Sequence, residues 1–534
     1  MLERDLVLPH TIAAHARTTP DRIAMMDVEG REITYAALDR EQRRWAAALS
    51  RVGVEAGETV VTMVPNSFES YFVWLGVAWL RAIEVPTNNM YLGEMLRYLI
   101  TNSEARVAVI SARYLDRLVD IAPQLERLEA VIVPDSDELP ECGIRMIGAT
   151  ELFDGVEPTV DEPGPEYFDI CSMIYTSGTT GPSKGVLVPW AELFEFARIQ
   201  PEDFIGPDGA YYAMFPAFHV SGKASLYITA RAHGHVVLRE AFSLTEFWND
   251  IRRFNVTAAG LVGPMAGLLM LAEPQPNDAD NPLDKIYVGP IIPQIEQFME
   301  RFGITRVGTG FGMTEIGAPI MSDGFSLANY QSCGRPRTGP PHYEVRVVDE
   351  HDEEVGPGVV GELVVRAGDP WVMNAGYYGM PEQTARAWRN GWFHTGDGFR
   401  YDEDGNYYFV DRMKDAIRRR GENVSSFEVE AFVSRHPKVA ESAAVAVPSE
   451  LTEDEIKICV VVRPGEELTP EELIDFLAPL MPKFMVPRYV EFIDGLPKTQ
   501  GTMRTRKVEL RDAAVNERTW DREAAANPRL HSSG

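Results

Sequence analysis

Short apolar runs alternate with helical patterns through the first half of this chain, and this alternation limits its fold more than any other feature. The run Val60–Val64 precedes Phe68–Leu80, which we predict to be an amphipathic helix. Regular exchange of strands and helices is typical of βα units and parallel sheets. The other predicted strands of this part are Arg106–Ile110, Ala130–Val133, Ala210–Phe215, Gly234–Leu238, Ala258–Val262 and Lys285–Val288.

The chain has more than one domain, because 534 residues exceed what a single hydrophobic core holds. From about Tyr343 the pattern becomes β-rich, and the charged segment Arg412–Asn423 then precedes a small α/β unit. We therefore predict an α/β fold with a large N-terminal domain, residues 1–411, of parallel-rich sheets plus a β-rich subdomain. Residues 412–534 are predicted to form a small mobile C-terminal α+β domain, with a hinge near Lys414.

Charge and composition restrict the partners of the chain. The net charge of −29 opposes binding to nucleic acid, since such binding needs a basic face. Four widely spaced cysteines favour a reducing compartment, and Met1–Pro20 has no apolar core of a signal peptide. The best apolar stretch, Tyr71–Ile83, is interrupted by Arg81 and too short for a membrane span. We expect a cytoplasmic protein.

A loop rich in glycine and hydroxyl residues follows the apolar run Ile170–Tyr175 and precedes the run Val186–Val188. Its glycines allow the backbone to approach a ligand closely, and its N–H groups and hydroxyls form a concavity that binds anions. Lys184 adds a full positive charge. A plain surface loop is the alternative, but the apolar runs on both sides favour a polyphosphate site. The spacing is not that of the Walker motif.

Two later clusters supply other groups that a nucleotide site needs. In Gly310–Glu315, Phe311 offers a stacking face and Glu315 a hard oxygen ligand for Mg²⁺. Asp397 follows a glycine-punctuated strand and is placed to accept hydrogen bonds from ribose hydroxyls. Taken alone, each cluster is more often a turn or a cap.

The chain resembles the adenylate-forming superfamily of acyl-CoA synthetases, nonribosomal adenylation domains and luciferases from Pro20 to Arg511. The resemblance rests on a series of motifs in the order of that family. They are Ile33–Leu38, Leu80–Pro86, Tyr175–Gly185, Phe215–His219, Gly310–Glu315, Gly361–Leu363, Trp392–Asp397, Asp411–Val424 and Leu496–Thr499. Residues 420–425, Arg-Gly-Glu-Asn-Val-Ser, are most similar to the carnitine/crotonobetaine-CoA ligase branch.

The resemblance implies that ATP activates a carboxylic acid as an acyl-adenylate, and that the acyl group then passes to CoA, with Mg²⁺ as the metal. The implied phosphate contacts are Thr176, Ser177, Gly178, Thr179, Thr180, Gly181, Lys184 and Thr314, with Thr176 and Glu315 as metal ligands. The implied nucleoside and CoA contacts are Gly289, Gly310, Phe311, Gly312, Asp397, Arg412 and Gly421. The implied catalytic residues are Lys184, Thr314, Glu315, His219 and Arg504.

Arg504 marks a departure from the family, which places a lysine at this point of the C-terminal domain. A count without a gap puts Met503 there, and one inserted residue puts Arg504 there, which we favour; Lys498 and Lys507 are outside candidates. Arginine is not equivalent to lysine in shape or reach. Two alternatives therefore stay open. One is an adenylating enzyme with another acceptor (a carrier-protein thiol, an amine, or an aryl amine with nitrite in a diazotase-type reaction), and the other is a catalytically silent nucleotide-binding homologue.

The segments that match the acyl pocket of the family are residues 215–222, 259–263, 288–292 and 309–316. Phe215 and Phe218 make this region aromatic, and Gly260 leaves room in it. We therefore expect an aryl or medium-chain carboxylic acid as substrate. Lys223, beside these segments, is expected to face solvent, and the alternative is that it pairs with a second carboxylate or lies beside a quaternary ligand. The sequence leaves open whether the protein forms a homodimer.

Overall fold

The computed structural model describes residues 3–158, 163–176, 183–200, 202–292, 294–322, 332–412, 417–419, 422–424, 426–448, 454–481, 483, 485–499, 503, 505–513 and 515–526. Its helices are α1 Leu8–Thr18, α2 Tyr35–Val52, α3 Phe68–Trp79, α4 Gly93–Asn102, α5 Leu115–Val119, α6 Ala149–Phe153, α7 Trp190–Ala197, α8 Val220–Ala232, α9 Phe247–Arg253, α10 Gly263–Leu271, α11 Ile295–Phe302, α12 Pro381–Ala387, α13 Ser426–Val433, α14 Pro470–Leu477, α15 Lys507–Asp512 and α16 Arg522–Ala526.

The strands of the first half are β1 Ile23–Asp27, β2 Glu32–Thr34, β3 Thr59–Met63, β4 Ile83–Pro86, β5 Val107–Ile110, β6 Ala130–Ile132, β7 Arg145–Ile147, β8 Ile170–Thr176, β9 Lys184–Pro189, β10 Ala210–Ala213, β11 His235–Leu238, β12 Ala258–Val262, β13 Lys285–Gly289 and β14 Arg306–Gly308. Those that follow are β15 Gly310–Met313, β16 Gly317–Met321, β17 Arg335–Pro336, β18 Tyr343–Val348, β19 Gly361–Ala367, β20 Phe393–Tyr401, β21 Tyr407–Arg412, β22 Ile417–Arg419, β23 Glu422–Val424, β24 Val439–Pro448, β25 Asp454–Val462, β26 Tyr489–Phe492 and β27 Trp520–Asp521.

Two seven-stranded sheets make up most of the N-terminal part of the described chain. The first has the order β7-β6-β5-β3-β4-β8-β9 and the second the order β14-β13-β12-β10-β11-β1-β2. Both are parallel except at one edge, where the pairs β8–β9 and β1–β2 run antiparallel. The predicted parallel-rich α/β architecture is confirmed.

Helices fill the space between the two sheets and cover their outer faces. Successive residues of β3 point to opposite faces, so that Val60 joins the core between the sheets while Val61 packs under α4 and α5. Helices α1, α2, α3, α7 and α8 contribute to the central core. On the other side of the second sheet, α9, α10 and α11 enclose a separate core that contains Ile286 and Val288.

Helix α3 confirms the predicted helix, but its predicted amphipathic character is wrong. Phe68 and every residue from Ser70 to Trp79 are buried. The helix lies in the layer between two sheets, which leaves it no solvent-facing side. A helix that is hydrophobic on all sides is a buried one, and this is the case here.

The β-rich part and the C-terminal unit have cores of their own. Strands β18 to β21 form an antiparallel four-stranded sheet around Leu363 and Phe399. In the C-terminal unit, β24 to β27 pair into a second four-stranded sheet, and Leu473 of α14 lies in its core. In the described part of the chain, every helix is too short or too polar to cross a membrane.

Candidate active site

The predicted phosphate loop closes the antiparallel hairpin β8–β9 at the edge of the first sheet. Thr176 ends β8, Lys184 begins β9, and the two residues are partners across the ladder. Ser177, Gly178, Thr179, Thr180 and Gly181 lie outside the described residues. The structure therefore fixes the two ends of the loop and sets Thr176 and Lys184 opposite each other at its mouth.

Tyr377, which the sequence analysis missed, contacts both Lys184 and Glu315. The Lys184 Nζ atom lies 4.5 Å from the centre of the Tyr377 ring. The Tyr377 hydroxyl donates a hydrogen bond of 3.2 Å to Glu315 Oε1. Two adjacent tyrosines between Gly376 and Gly379 were the available signal for this contact.

The segment that carries Tyr377 is held along β9 by backbone hydrogen bonds. The amide of Leu187 donates to the carbonyl of Gly376 (3.0 Å), and the amide of Tyr378 donates to the carbonyl of Gly185 (2.8 Å). Tyr377 itself forms an isolated bridge with Val186. The position of the tyrosine ring over Lys184 is thus set by the main chain of both segments.

Glu315 is buried, with only 6 % of its surface exposed, and lies in the turn between β15 and β16. Its carbonyl oxygen accepts from the backbone amide of Asn374 (3.1 Å) and from the Asn374 side-chain amide (2.6 Å). A single asparagine thus fixes the turn that presents this carboxylate.

A second carboxylate, Glu192 of α7, is fully buried behind Glu315. Burial and the nearby Glu315 charge raise the pKa of Glu192 well above its usual value. A hydrogen bond with the backbone of Gly317 opposes this rise in the pKa but does not outweigh it. Burial beside the Glu315 carboxylate therefore favours the protonated form of Glu192.

Strand β15, Gly310–Met313, is packed closely against its neighbours. A Cβ atom at Gly310 would lie 2.2 Å from the Tyr287 hydroxyl, and one at Gly312 would lie 2.5 Å from the carbonyl of Gly317. Both glycines are therefore required by the protein's own packing. Phe311 is half-buried and meets Phe399 edge to face, with ring centres 4.7 Å apart.

Asp397 and Arg412, the predicted ribose contacts, are partners across the β20–β21 ladder. Asp397 is buried, and its backbone amide donates to the Thr395 hydroxyl (3.1 Å). The turn before it is anchored by Glu362, which accepts from the Gly396 amide (2.9 Å) and lies 2.9 Å from a His394 ring nitrogen. Burial alone would raise the pKa of Glu362, but these hydrogen bonds outweigh it and hold the pKa below its usual value.

His219 precedes α8 in a loop with little freedom. Its carbonyl accepts from the amide of Gly222 (3.0 Å), and the Tyr71 hydroxyl donates to the carbonyl of Gly222 (2.9 Å). A Cβ at Gly222 would lie 2.2 Å from the Pro216 carbonyl oxygen, so a larger residue would move the loop. The His219 ring packs against Phe218 with ring centres 4.7 Å apart.

Lys223 does not face solvent, and that prediction is wrong. Only 1 % of its surface is exposed; its ammonium forms an ion pair with Glu84 and lies 4.3 Å from the Trp74 ring centre. Glu84 also accepts hydrogen bonds from the hydroxyls of Thr62 (3.0 Å) and Ser172 (2.9 Å). The lysine is thus paired with a carboxylate of the protein itself.

Several residues of the C-terminal part cannot be placed. Arg504, Gly421 and Lys414 lie outside the described residues, and the Arg412 side chain is not described. The two lysines that were outside candidates for the catalytic position are engaged locally. Lys498 pairs with Glu441 (2.6 Å) and Lys507 with Glu430 (2.8 Å), both within the C-terminal unit.

The sequence model of the family described as AMP-binding enzyme matches residues 12–378, more than half of the chain. The chain belongs to this family. The C-terminal domain model of the same family matches residues 428–501. Crotonobetaine/carnitine–CoA ligases of Citrobacter koseri and Salmonella agona are each 31 % identical to the chain, over 88 % of its length and 91 % of theirs.

Solved structures of similar fold include the anthranilate CoA ligase AuaEII in complex with anthranoyl-AMP. Its TM-score is 0.85 at 22 % identity, covering 96 % of this chain and 98 % of that one. A benzoate CoA ligase from Burkholderia xenovorans LB400 has a TM-score of 0.82 at 22 % identity, covering 94 % and 99 %. These likenesses show that the chain shares the fold of these two structures.

Proposed function

We propose that this protein is an AMP-forming acyl-CoA ligase. It activates a carboxylic acid with ATP as an acyl-adenylate, releases pyrophosphate, and then transfers the acyl group to the thiol of CoA with release of AMP. The observation that carries the proposal is the contact series from Lys184 through Tyr377 to Glu315, which joins a lysine at the mouth of the hairpin to a buried carboxylate. The names of the curated relatives support CoA as the acceptor.

In the first step a carboxylate oxygen attacks the α-phosphorus of ATP, which brings two anions together. Cationic groups must therefore neutralise charge in the transition state. Lys184 and the loop between Thr176 and Lys184 hold the phosphate tail, and Thr314 contacts the α-phosphate. Each of these roles follows from the position of the residue in the family's motifs.

The oxygen ligands that the proposed site provides suit Mg²⁺. Among the described residues, no group of three or more histidine, cysteine or acidic side chains is arranged so that it could hold a metal ion. Mg²⁺ often binds through one or two carboxylates together with substrate phosphates, so Glu315 and the Thr176 hydroxyl fit this ion. When bound, Mg²⁺ supplies positive charge to the phosphate oxygens.

The nucleoside and the acid bind on either side of strand β15. Asp397 and Arg412 hold the ribose, Phe311 lies beside the adenine, and Gly289 borders the same cleft. His219 lies beside the reacting carboxylate, at the entrance of a pocket formed by residues 215–222, 259–263, 288–292 and 309–316. The acid is an aryl or medium-chain one, a class that includes the acids named for the two structural neighbours.

The second step needs the ATP-binding groups withdrawn and a path opened for the thiol of CoA. A C-terminal domain that turns about a hinge near Lys414 provides both. Arg504 serves the first step, and Gly421 borders the pantetheine arm in the second. We place the whole reaction in the cytoplasm, consistent with the widely spaced cysteines.

Pyrophosphate release and AMP formation, measured with a panel of acids in the presence and absence of CoA, test the proposal. We expect pyrophosphate release that depends on acid and Mg²⁺, and AMP formation that CoA stimulates. Turnover with a carrier protein, an amine, or nitrite and an aryl amine, but without any CoA effect, would replace CoA as the acceptor. Absence of turnover with every acid would leave a silent nucleotide-binding protein.

A further inference from the structure

Strand β20 does not pair evenly with its neighbour β19. On one side of the irregularity Glu362 lies opposite Gly398, and on the other side Val364 lies opposite His394. A single residue of β19 therefore faces three residues of β20, Thr395–Asp397, and we call these three the β20 bulge. Bulges occur often beside functional sites, where they change the direction of a side chain. The last residue of this bulge is the proposed ribose contact.

Two backbone amides of the β20 bulge donate to side chains. The amide of Gly396 donates to Glu362 Oε1 (2.9 Å), and the amide of Asp397 donates to the Thr395 hydroxyl (3.1 Å). The same hydroxyl donates to the carbonyl of Leu363 (2.7 Å), the residue that faces the bulge. Because the residues of a bulge lose partners in the ladder, these side chains determine its shape.

The backbone of the β20 bulge has little freedom of its own. Gly396 has a φ of +72°, a conformation that residues with a side chain rarely adopt. The next residue but one, Gly398, is again in register with Glu362. Asp397 lies between these two fixed points and is only 5 % exposed. The shape of the bulge therefore sets the position of the Asp397 carboxylate.

The Glu362 carboxylate is held through its second oxygen. Its Oε2 atom lies 2.9 Å from His394 Nδ1 and 3.5 Å from Arg389 Nη2. Arg389 is fixed in turn by Asp352, at 2.7 Å. Burial alone would raise the pKa of Glu362, but the hydrogen bonds with His394 and Gly396 hold that pKa below its usual value. The carboxylate is therefore ionised at neutral pH, and Oε1 is an acceptor for the Gly396 amide.

We propose that Glu362 and Thr395 are positioning residues for ATP, because they shape the β20 bulge that directs Asp397 at the ribose hydroxyls. This inference rests on the ligase function proposed above, in which Asp397 binds the ribose. It gives the family motif Gly361–Leu363 a role, since Glu362 supports the bulge without contact to the nucleotide. A site built to hydrogen-bond a substrate hydroxyl discriminates against the analogue that lacks it.

Calorimetric titration with ATP, 2′-deoxyATP and 3′-deoxyATP, with Mg²⁺ and without any acid, tests the inference. We expect wild type to bind ATP about 10- to 100-fold more tightly than the weaker of the two deoxy analogues. In Asp397→Ala this preference should fall to within about threefold. In Glu362→Leu and in Thr395→Val it should fall about fivefold or more, because the Asp397 carboxylate moves away from the hydroxyls. Thr395→Ser retains the hydroxyl and should keep the preference.

The ratio of dissociation constants separates a positioning role from a purely structural one. A variant that only destabilises the fold lowers the fraction of protein that binds ATP, but it leaves this ratio unchanged. The double variant Glu362→Leu/Asp397→Ala should have the same ratio as Asp397→Ala alone, because Glu362 acts through Asp397. In assays of pyrophosphate release, the KM of Glu362→Leu for ATP should rise while kcat stays within about threefold, as expected for a contact made equally in the ground state and the transition state.

Glu344→Leu is the matched control, since Glu344 pairs with Arg366 (2.7 Å) at the surface of the same sheet and should be replaceable without loss of the preference. An unchanged preference in Glu362→Leu and Thr395→Val, an equal loss in Glu344→Leu, or a retained preference in Asp397→Ala would each overturn the inference. Either Glu362→Leu or Thr395→Val alone carries the test if the other fails to fold. Absence of pyrophosphate release with every acid overturns the proposed function, whereas the titration needs no acid and reports on the ribose contact separately. Absence of ATP binding would overturn both.

Discussion

The Tyr377 hydroxyl donates a hydrogen bond of 3.2 Å to Glu315, and the Lys184 ammonium lies 4.5 Å from the centre of the Tyr377 ring. One side chain thus contacts both the lysine of the predicted phosphate loop and the predicted metal ligand. Burial and the Glu315 carboxylate raise the pKa of Tyr377, which keeps the hydroxyl protonated and able to donate. The tyrosine therefore helps to set the separation between a cation and an anion that the proposed mechanism assigns to the same triphosphate.

Tyr377→Phe should lower kcat/KM for ATP about 10- to 100-fold, since a hydrogen bond to a charged group contributes about 1.5–3 kcal/mol. The ring over Lys184 is retained in this variant, so the loss reports on Glu315. Tyr377→Leu should lose more, because it also removes the cation–π contact. Pyrophosphate release at varied ATP and Mg²⁺ concentrations measures both effects.

Tyr378→Phe is the control for this pair. In the wild-type protein the Tyr378 hydroxyl donates a hydrogen bond to Glu104 (3.0 Å) at the surface, away from Glu315. The activity of the variant should stay within about twofold of wild type, as exposed contacts of this kind contribute little. Equal losses in Tyr377→Phe and Tyr378→Phe would show that the Glu315 contact has no special role.

Glu192→Gln should stabilise the protein, increasingly so as the pH rises. The folded-state pKa of Glu192 is raised, so below the ordinary carboxyl pKa both states are protonated and the residue costs nothing. Above it, the unfolded chain ionises while the folded one stays neutral, which lowers wild-type stability by about 1.4 kcal/mol per pH unit up to the folded-state pKa. Glutamine has no ionisable side chain, so the variant does not lose stability in this way as the pH rises.

Denaturant unfolding of wild type and Glu192→Gln between pH 4 and pH 8 measures the difference. The gain should be small near pH 4 and increase steadily above about pH 4.5. Glu126→Gln, at an exposed position, should show no such trend. Parallel pH profiles for wild type and Glu192→Gln would mean that Glu192 is already ionised in the folded protein.

The buried ion pair of Lys223 and Glu84 predicts strongly non-additive substitutions. Lys223→Met leaves Glu84 charged and unpaired between the two sheets, and Glu84→Gln leaves Lys223 likewise, so each should cost about 3–5 kcal/mol in the free energy of unfolding. The double variant Lys223→Met/Glu84→Gln should lose less than the sum of the two. Urea titration of the four proteins completes the cycle, and an additive result would contradict a direct charge interaction.

The fold class follows from the sequence because strand and helix periods alternate, and β10, β12 and β13 occur where the apolar runs predict them. The order in which the strands pair cannot be predicted from these local patterns. Hairpin β1–β2 joins a sheet whose other strands begin with β10, about 180 residues later, and local patterns carry no information on such a contact. The burial of α3 on all sides is likewise set by tertiary packing.

The motifs of the family supply the predicted site residues, but they do not supply every contact among them. Lys184 and Glu315 are predicted by motif, whereas Tyr377, which contacts both, comes from a segment outside the predicted site. Lys223 was expected in solvent because nothing local shows that Glu84, far away in sequence, provides its counter-charge. Ion pairs between residues far apart in sequence can be identified only once the fold is known.

We expect one basic residue of the C-terminal domain to assist the first step. Lys498 and Lys507 are held in ion pairs with Glu441 and Glu430, so neither is available without breaking a contact. Arg504 is therefore expected to supply the positive charge beside the attacking carboxylate. Arg504→Ala should slow acid-dependent pyrophosphate release about 100-fold or more, the scale of losing one charge-stabilising group.

The same variant should transfer a chemically prepared acyl-adenylate to CoA at nearly the wild-type rate, because the proposal assigns Arg504 to the first step only. Met503→Ala, at the neighbouring position of the ungapped alignment, serves as the control and should keep both activities. Lys498→Ala tests the remaining alternative, and loss of pyrophosphate release there or in Met503→Ala, with Arg504→Ala active, would reassign the catalytic position. Arg504→Lys should recover part of the activity, since charge is kept while the geometry of the guanidinium is lost.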